Sequence, residues 1–179
     1  ALASIKLADD TSRFDWLQVA KSAYDASYSV MAQPGDLDMG EVLAHLRNVI
    51  PENAIVTNGA GNFAIWPNKF LKFGPKGRLL APQSGAMGYG VPAAIAAKLH
   101  DPSRFVLCFA GDGDFQMNGN ELGSAMQAGL PLIILIVNNG TYGTIRMHQE
   151  RHYPERVSGT ELVNPDFVTL AKAYGFYGE

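Results

Sequence analysis

The sequence predicts an α/β fold, a three-layer α/β/α domain built on a central, mostly parallel sheet. Apolar runs at residues 54–57, 105–110 and 132–137 lack the in-out alternation of a half-exposed strand, so both faces of their sheet are covered. Segments of helical character lie between them, as parallel pairing requires. Each run also ends in small or polar residues: Asn58-Gly59-Ala60-Gly61-Asn62, Gly111-Asp112-Gly113-Asp114 and Asn138-Asn139-Gly140. In a parallel sheet these ends fall on one edge, where ligands of such sheets bind.

Taken in order, residues 11–30 have helical character with mixed polarity, and Pro34-Gly35 separates them from the rest of the chain. An N-terminal linker and helix over residues 1–37 and a main domain over residues 38–179 are expected. Residues 39–49 read as an amphipathic helix, with Val42, Leu43, Leu46, Val49 and Ile50 on one side. A short strand comes next at 54–57. The Ala-rich stretch 87–99 is helical, 105–110 is a buried strand, 121–128 is helical, and the Ile, Leu and Val run at 132–137 is the last strand of the series.

Composition narrows the function. A chain of 179 residues, 47% hydrophobic and 17% charged, has the size of one globular domain with a substantial core. Its net charge of -3 and scattered Lys and Arg argue against a nucleic-acid partner, which needs a basic face. Cys108, the lone cysteine, sits within an apolar strand and reads as a core thiol, not a nucleophile. The N-terminus lacks the pattern of a signal peptide, and no apolar run approaches the roughly 18 residues of a membrane helix. A cytoplasmic protein without a membrane partner is the expectation.

The strand-end loops admit rival readings. Gly59-Ala60-Gly61-Asn62-Phe63-Ala64 fits the dinucleotide fingerprint, but no Asp or Glu lies between Glu52 and Asp101 to hold a ribose, and Pro67 stands where the helix should already be running. A calcium loop starting at Asp114 places Gln116 at its third position, where Asp or Asn belongs, and Ala125 at its twelfth, where a bidentate Glu should close the site. A third reading joins two loops. Gly111-Asp112-Gly113 and Asn138-Asn139 are separated by 24 residues, the length of a helix and a return strand, so Asp112 and Asn139 emerge at adjacent strand ends. A carboxylate and an amide oxygen suit magnesium, and flanking glycines let backbone approach an anion.

Gly111-Asp112-Gly113, this interval and Asn138-Asn139, together with residues 84–94, resemble the thiamine diphosphate (ThDP) binding signature, and residues 38–178 resemble the ThDP-binding domain of acetolactate synthase-like enzymes. The resemblance implies that Asp112, the Asn139 side chain and the Thr141 carbonyl ligate Mg2+, which bridges the diphosphate. It implies that the amides of Gly113, Asp114 and Phe115, beside Gly111, approach the phosphates together with Gly61 and Asn62. Met87 would prop the cofactor in its bent shape, with the Gly85 carbonyl and Met87 amide on the pyrimidine edge; these two residues are assigned to catalysis, against the alternative of a plain core methionine. Tyr142, Gly143, Thr144 and Ile145 continue the cofactor wall, Ile145 on the substrate side. Asn138 reads as a strand-end cap, and Arg146 and His148 as a polar helix face.

The implied activity is that of a lyase or transferase: decarboxylation of a 2-keto acid such as pyruvate and carbon–carbon bond formation. A benzoylformate decarboxylase-like or pyruvate oxidase-like enzyme, or a non-catalytic cofactor-binding module, is the alternative. Use of FAD is undecided. Phe63 departs from the His that acetolactate synthases often carry there, which weakens assignment to acetolactate synthase proper. The family's activating Glu comes from a separate pyrimidine-binding domain, usually of another subunit in a homodimer or homotetramer, so a piece shortened at both ends is expected.

Overall fold

The computed structural model describes residues 11–29 and 32–179, so residues 1–10, 30 and 31 of the expected linker lie outside the described residues. The chain divides into two units, Ala1–Gly40 and Glu41–Glu179. In the first, α1 spans Thr11–Ala26. The chain then passes Gly35, whose φ of 113° suits the expected break. Asp38 caps the next helix, α2 (Met39–Val49), by accepting from the backbone N–H of Gly40 at 2.7 Å.

The second unit holds the sheet. Its strands are β1 (Ile55–Asn58), β2 (Arg78–Leu80), β3 (Val106–Gly111) and β4 (Ile133–Val137), in the order β2-β1-β3-β4, and every pairing is parallel. Cys108 stands between Thr57 on one side and Ile134 on the other. Every residue of β1 and β3 is buried, which is why neither alternates. The α/β reading is borne out. The edge strand β2 is an addition to the expected strands, because three residues carry too little pattern to stand out. Its place is held by Arg104, whose guanidinium donates to the carbonyls of Asn53 (2.6 Å), Ala54 (3.3 Å) and Lys76 (2.7 Å) and ties the amino ends of the strands together.

Helices cover the sheet. α3 (Ile65–Phe70) comes after a 3-10 turn at Asn62–Ala64, contrary to the expectation that Pro67 would prevent a helix. Pro67 is the third helical residue, within the first turn, where the N–H that proline lacks has no helical acceptor. α4 (Gly90–His100) begins three residues later than the expected 87, since Gly88 sits at a φ of 82° and leaves Met87 in a turn. Its small residues let it lie close on the sheet: Val91, Ala94 and Ile95 pack with Ile55, Val106, Cys108 and Ala110 in one core.

After β3 the chain enters α5 (Asp112–Asn118) directly, then a 3-10 turn and α6 (Leu122–Gln127). Gly111-Asp112-Gly113 is therefore a strand-to-helix junction. α7 (Gly143–His152) and α8 (Phe167–Ala173) complete the unit, Asp166 capping α8 through the Thr169 amide at 3.0 Å. Among the described residues no helix is long and apolar enough to cross a membrane.

Candidate functional site

The carboxyl ends of β1, β3 and β4 open onto one cavity of about 390 Å³. The β1 loop supplies Gly61 and Asn62, the turn before α4 supplies Gly85 and Met87, and the β3–α5 junction supplies Gly111, Asp112, Gly113 and Asp114. Asn139, Thr141, Tyr142, Gly143, Thr144 and Ile145 line it from the β4 side. Loops up to about eighty residues apart in sequence thus meet, as parallel topology dictates. Phe115 is not among the lining residues. Its ring is buried and meets Phe167 edge-on, with centroids 5.6 Å apart. Ala60, Phe63, Trp66 and Val137 also line the cavity, and sequence reasoning did not single out the last two. An aromatic in the turn of helix after a glycine-rich loop was the available signal for Trp66.

Two carboxylates in the β3–α5 junction face different ways. Asp112 is 3% exposed, and its Oδ2 accepts from the Gly140 amide at 2.9 Å and from Asn164 Nδ2 at 2.7 Å. Asp114, also 3% exposed, accepts from the amides of Ala60 (3.1 Å) and Gly88 (2.8 Å). Burial pushes the Asp114 carboxyl above its ordinary value, opposed by the amides of Gly88, Ala60 and Gly111. The Asp114 side chain laces the β1 loop to the turn that carries Met87. A Cβ on Gly59 would lie 1.9 Å from Asp114 Oδ1, so glycine there makes room for the carboxylate.

Gly111 and Gly113 are small for a reason the sequence did not show. Added Cβ atoms would lie 2.8 Å from the Phe63 ring and 2.5 Å from the Tyr142 ring. Close ring packing is what the absence of a Cβ at these two positions accommodates. The amino end of α5 has no side-chain cap. Its first-turn N–H groups, Gly113 and Asp114 included, lack helical acceptors and give the cavity wall a partial positive charge.

The β4 side is strapped down by the segment before α8. The Thr160 carbonyl accepts from Thr141 Oγ1 and from the Tyr142 amide, both at 2.8 Å, and Thr141 pairs with Glu161 in an isolated antiparallel bridge. Asn138 Oδ1 accepts from the Gly140 amide (3.2 Å), and Asn139 Oδ1 from the Thr141 amide (3.2 Å). Across the rim, Asn62 and Thr144 exchange hydrogen bonds of 3.0 and 2.9 Å, joining the β1 loop to α7. Among the described residues no group of three or more His, Cys, Asp and Glu side chains could hold a metal. The Asp112, Asn139 and Thr141 set is of another composition, with one carboxylate.

A loop-lined cavity of this kind is shared by many α/β proteins, and family membership decides among them. The model of the thiamine pyrophosphate enzyme C-terminal TPP binding domain matches residues 59–179, from the β1 loop to the end of the chain. The chain belongs to the thiamine pyrophosphate enzymes. Its TPP-binding domain is similar to the acetolactate synthase large subunit of Parasynechococcus marenigrum, 41% identical over 77% of this chain and 22% of the relative. It is similar to the isozyme 2 large subunit of Escherichia coli, 33% identical over 97% of this chain and 32% of that subunit. The large subunit of Corynebacterium glutamicum is 38% identical over 90% of this chain and 26% of its own length. The chain therefore spans roughly a fifth to a third of the length of these relatives. The acetolactate synthase-like resemblance read from the Gly111-Asp112-Gly113 and Asn138-Asn139 motifs is borne out.

Proposed function

We propose that the cavity binds ThDP through Mg2+ and that the chain serves an acetolactate synthase-like enzyme, a decarboxylase and carboligase of 2-keto acids. The observation that carries this reading is the convergence of a buried Asp112, Asn139 and Thr141 with the uncapped amino end of α5 on one cavity, in a chain of this family.

The donor set fits the group. Carboxylate, amide and peptide oxygens are hard ligands suited to Mg2+, and they leave positions for phosphate oxygens and water. Asp112, Asn139 and the Thr141 carbonyl would hold the ion. The α5 amides of Gly113 and Asp114 would receive phosphate oxygens, with the β1 loop at Gly61 and Asn62 on the facing side. Met87, half-buried and fixed through the neighbouring Gly88 amide by Asp114, would support the cofactor from below, with the Gly85 carbonyl at the pyrimidine edge. Phe63, Trp66 and Ile145 give the cavity an apolar side that would shield the reacting carbon. When bound, ThDP would supply a nucleophilic thiazolium carbon for chemistry at the carbonyl of a 2-keto acid. The activating Glu belongs in this reading to a pyrimidine-binding domain of another subunit, in a homodimer or homotetramer.

Calorimetric titration with ThDP, with and without Mg2+ and with EDTA, tests the proposal on the wild type and on Asp112→Ala and Asn139→Ala. Binding that requires Mg2+ and is lost in both variants is the expected result. Binding indifferent to metal and to both substitutions would overturn the metal assignment.

A further inference from the structure

Asn164 lies outside every motif, 25 residues beyond Asn139, yet its side chain reaches the buried carboxylate of Asp112. Its Nδ2 donates to Asp112 Oδ2 at 2.7 Å and to Asn138 Oδ1 at 2.8 Å. Its own Oδ1 accepts from Gln116 Nε2 at 2.8 Å, on α5. That last bond sets the orientation of the amide: with the oxygen turned to Gln116, both amide protons are directed at the two strand ends. The four side chains come from the β3–α5 junction, from α5 itself, from the end of β4 and from the strap before α8.

The consequence falls on Asp112. Its Oδ2 receives two hydrogen bonds, from Gly140 and Asn164, and among the described residues its Oδ1 receives none. The carboxylate is thus locked by one oxygen, in a cavity wall 3% exposed. A carboxylate that ligates a metal through one oxygen is held and tuned by what bonds the other.

Resting on the functional reading above, we infer that Asn164 is a positioning residue that assigns the two oxygens of Asp112 different tasks, Oδ2 to the protein and Oδ1 to the metal. It acts through Asp112 and touches neither ion nor cofactor. The same amide joins the β3 and β4 ends and so sets the spacing between Asp112 and the loop that carries Asn139.

The test measures ThDP binding across a Mg2+ series for the wild type, Asn164→Ala and Gln116→Ala, with melting of each metal-free chain alongside. For Asn164→Ala the Mg2+ concentration giving half-maximal binding rises by about 10–100-fold, the range typical for loss of such a partner. ThDP affinity at saturating Mg2+ returns to near the wild-type value. Gln116→Ala, which frees the amide to turn, shifts the midpoint in the same direction by less, and it decides the matter by the same criterion if Asn164→Ala does not fold.

An unchanged Mg2+ midpoint overturns the inference while leaving the site reading intact. So does affinity weakened equally at every Mg2+ concentration, which would mark a structural role alone. A wild-type chain with no Mg2+-dependent ThDP binding sinks the site reading and this inference with it.

Discussion

Asp112 and Asp114 stand two residues apart and are equally buried, yet one faces the proposed metal position and the other a pair of backbone amides. Gly59→Ala tests the second arrangement. Its Cβ would meet the Asp114 carboxylate at 1.9 Å, so a loss of about 1–3 kcal/mol is expected from denaturant unfolding, typical of overpacking. Because that clash is with Asp114, Asp114→Ala should cost less in the Gly59→Ala background than in the wild type, and strict additivity in the double-mutant cycle would refute the contact.

Cys108 makes a pH prediction. Desolvation pushes its thiol up to about 12, opposed by the Thr57 hydroxyl and reinforced by Asp114. Below the ordinary thiol value of 9.0 the group is neutral in folded and unfolded chains alike, so it contributes no pH dependence there. From pH 9 toward 12 only the unfolded chain ionises. Stability should therefore fall in that window, by at most about 1.4 kcal/mol per pH unit. A thiol-alkylating reagent at about pH 8, where only the unfolded chain carries a minor thiolate fraction, should label Cys108 only after denaturant is added. Rapid labelling of the native chain would contradict its burial.

At the scale of elements, the turn before α4 matters most. Gly88 combines a φ of 82° with a space in which a Cβ would lie 2.7 Å from Met117 Cβ and Asn118 Nδ2. Gly88→Ala should cost about 1–3 kcal/mol through backbone strain. Since Met87 is its immediate neighbour, ThDP affinity should fall with it, and retention of full affinity would show that Met87 does not depend on this turn. The helix at 87–99 was legible from its alanines, but its start was not. Only the packing of the turn against α5 reveals that the chain must enter the left-handed region at Gly88. Likewise Pro67 looked like a breaker because proline's position relative to the helix start cannot be read until that start is known.

For the whole molecule, ligand linkage is the measurable consequence of loops from three strands meeting at one cavity. A ligand that bridges them binds the folded chain and not the unfolded one. ThDP with Mg2+ at about 100 times its dissociation constant should add about 2.7 kcal/mol of stability, and EDTA should remove the gain. A melting temperature unmoved by ThDP and Mg2+ would count against binding by this chain.

The sequence by itself determined the parallel α/β class and the three strand-end loops on one sheet edge, because apolar runs buried on both faces and glycine-rich strand ends leave a local pattern. The Gly111-Asp112-Gly113 and Asn138-Asn139 motifs carried the resemblance to the family. Asp112 and Asn139 could be paired from spacing alone, since a helix and a return strand have a narrow range of lengths. Other features were decided by tertiary structure: the edge strand β2, the carboxylate of Asp114 as a brace between loops, the rings over Gly111 and Gly113, and Asn164 behind Asp112. Each depends on contacts across tens of residues of chain, and a side chain's hydrogen-bond partner at that distance is set by how the elements pack, which no local pattern records.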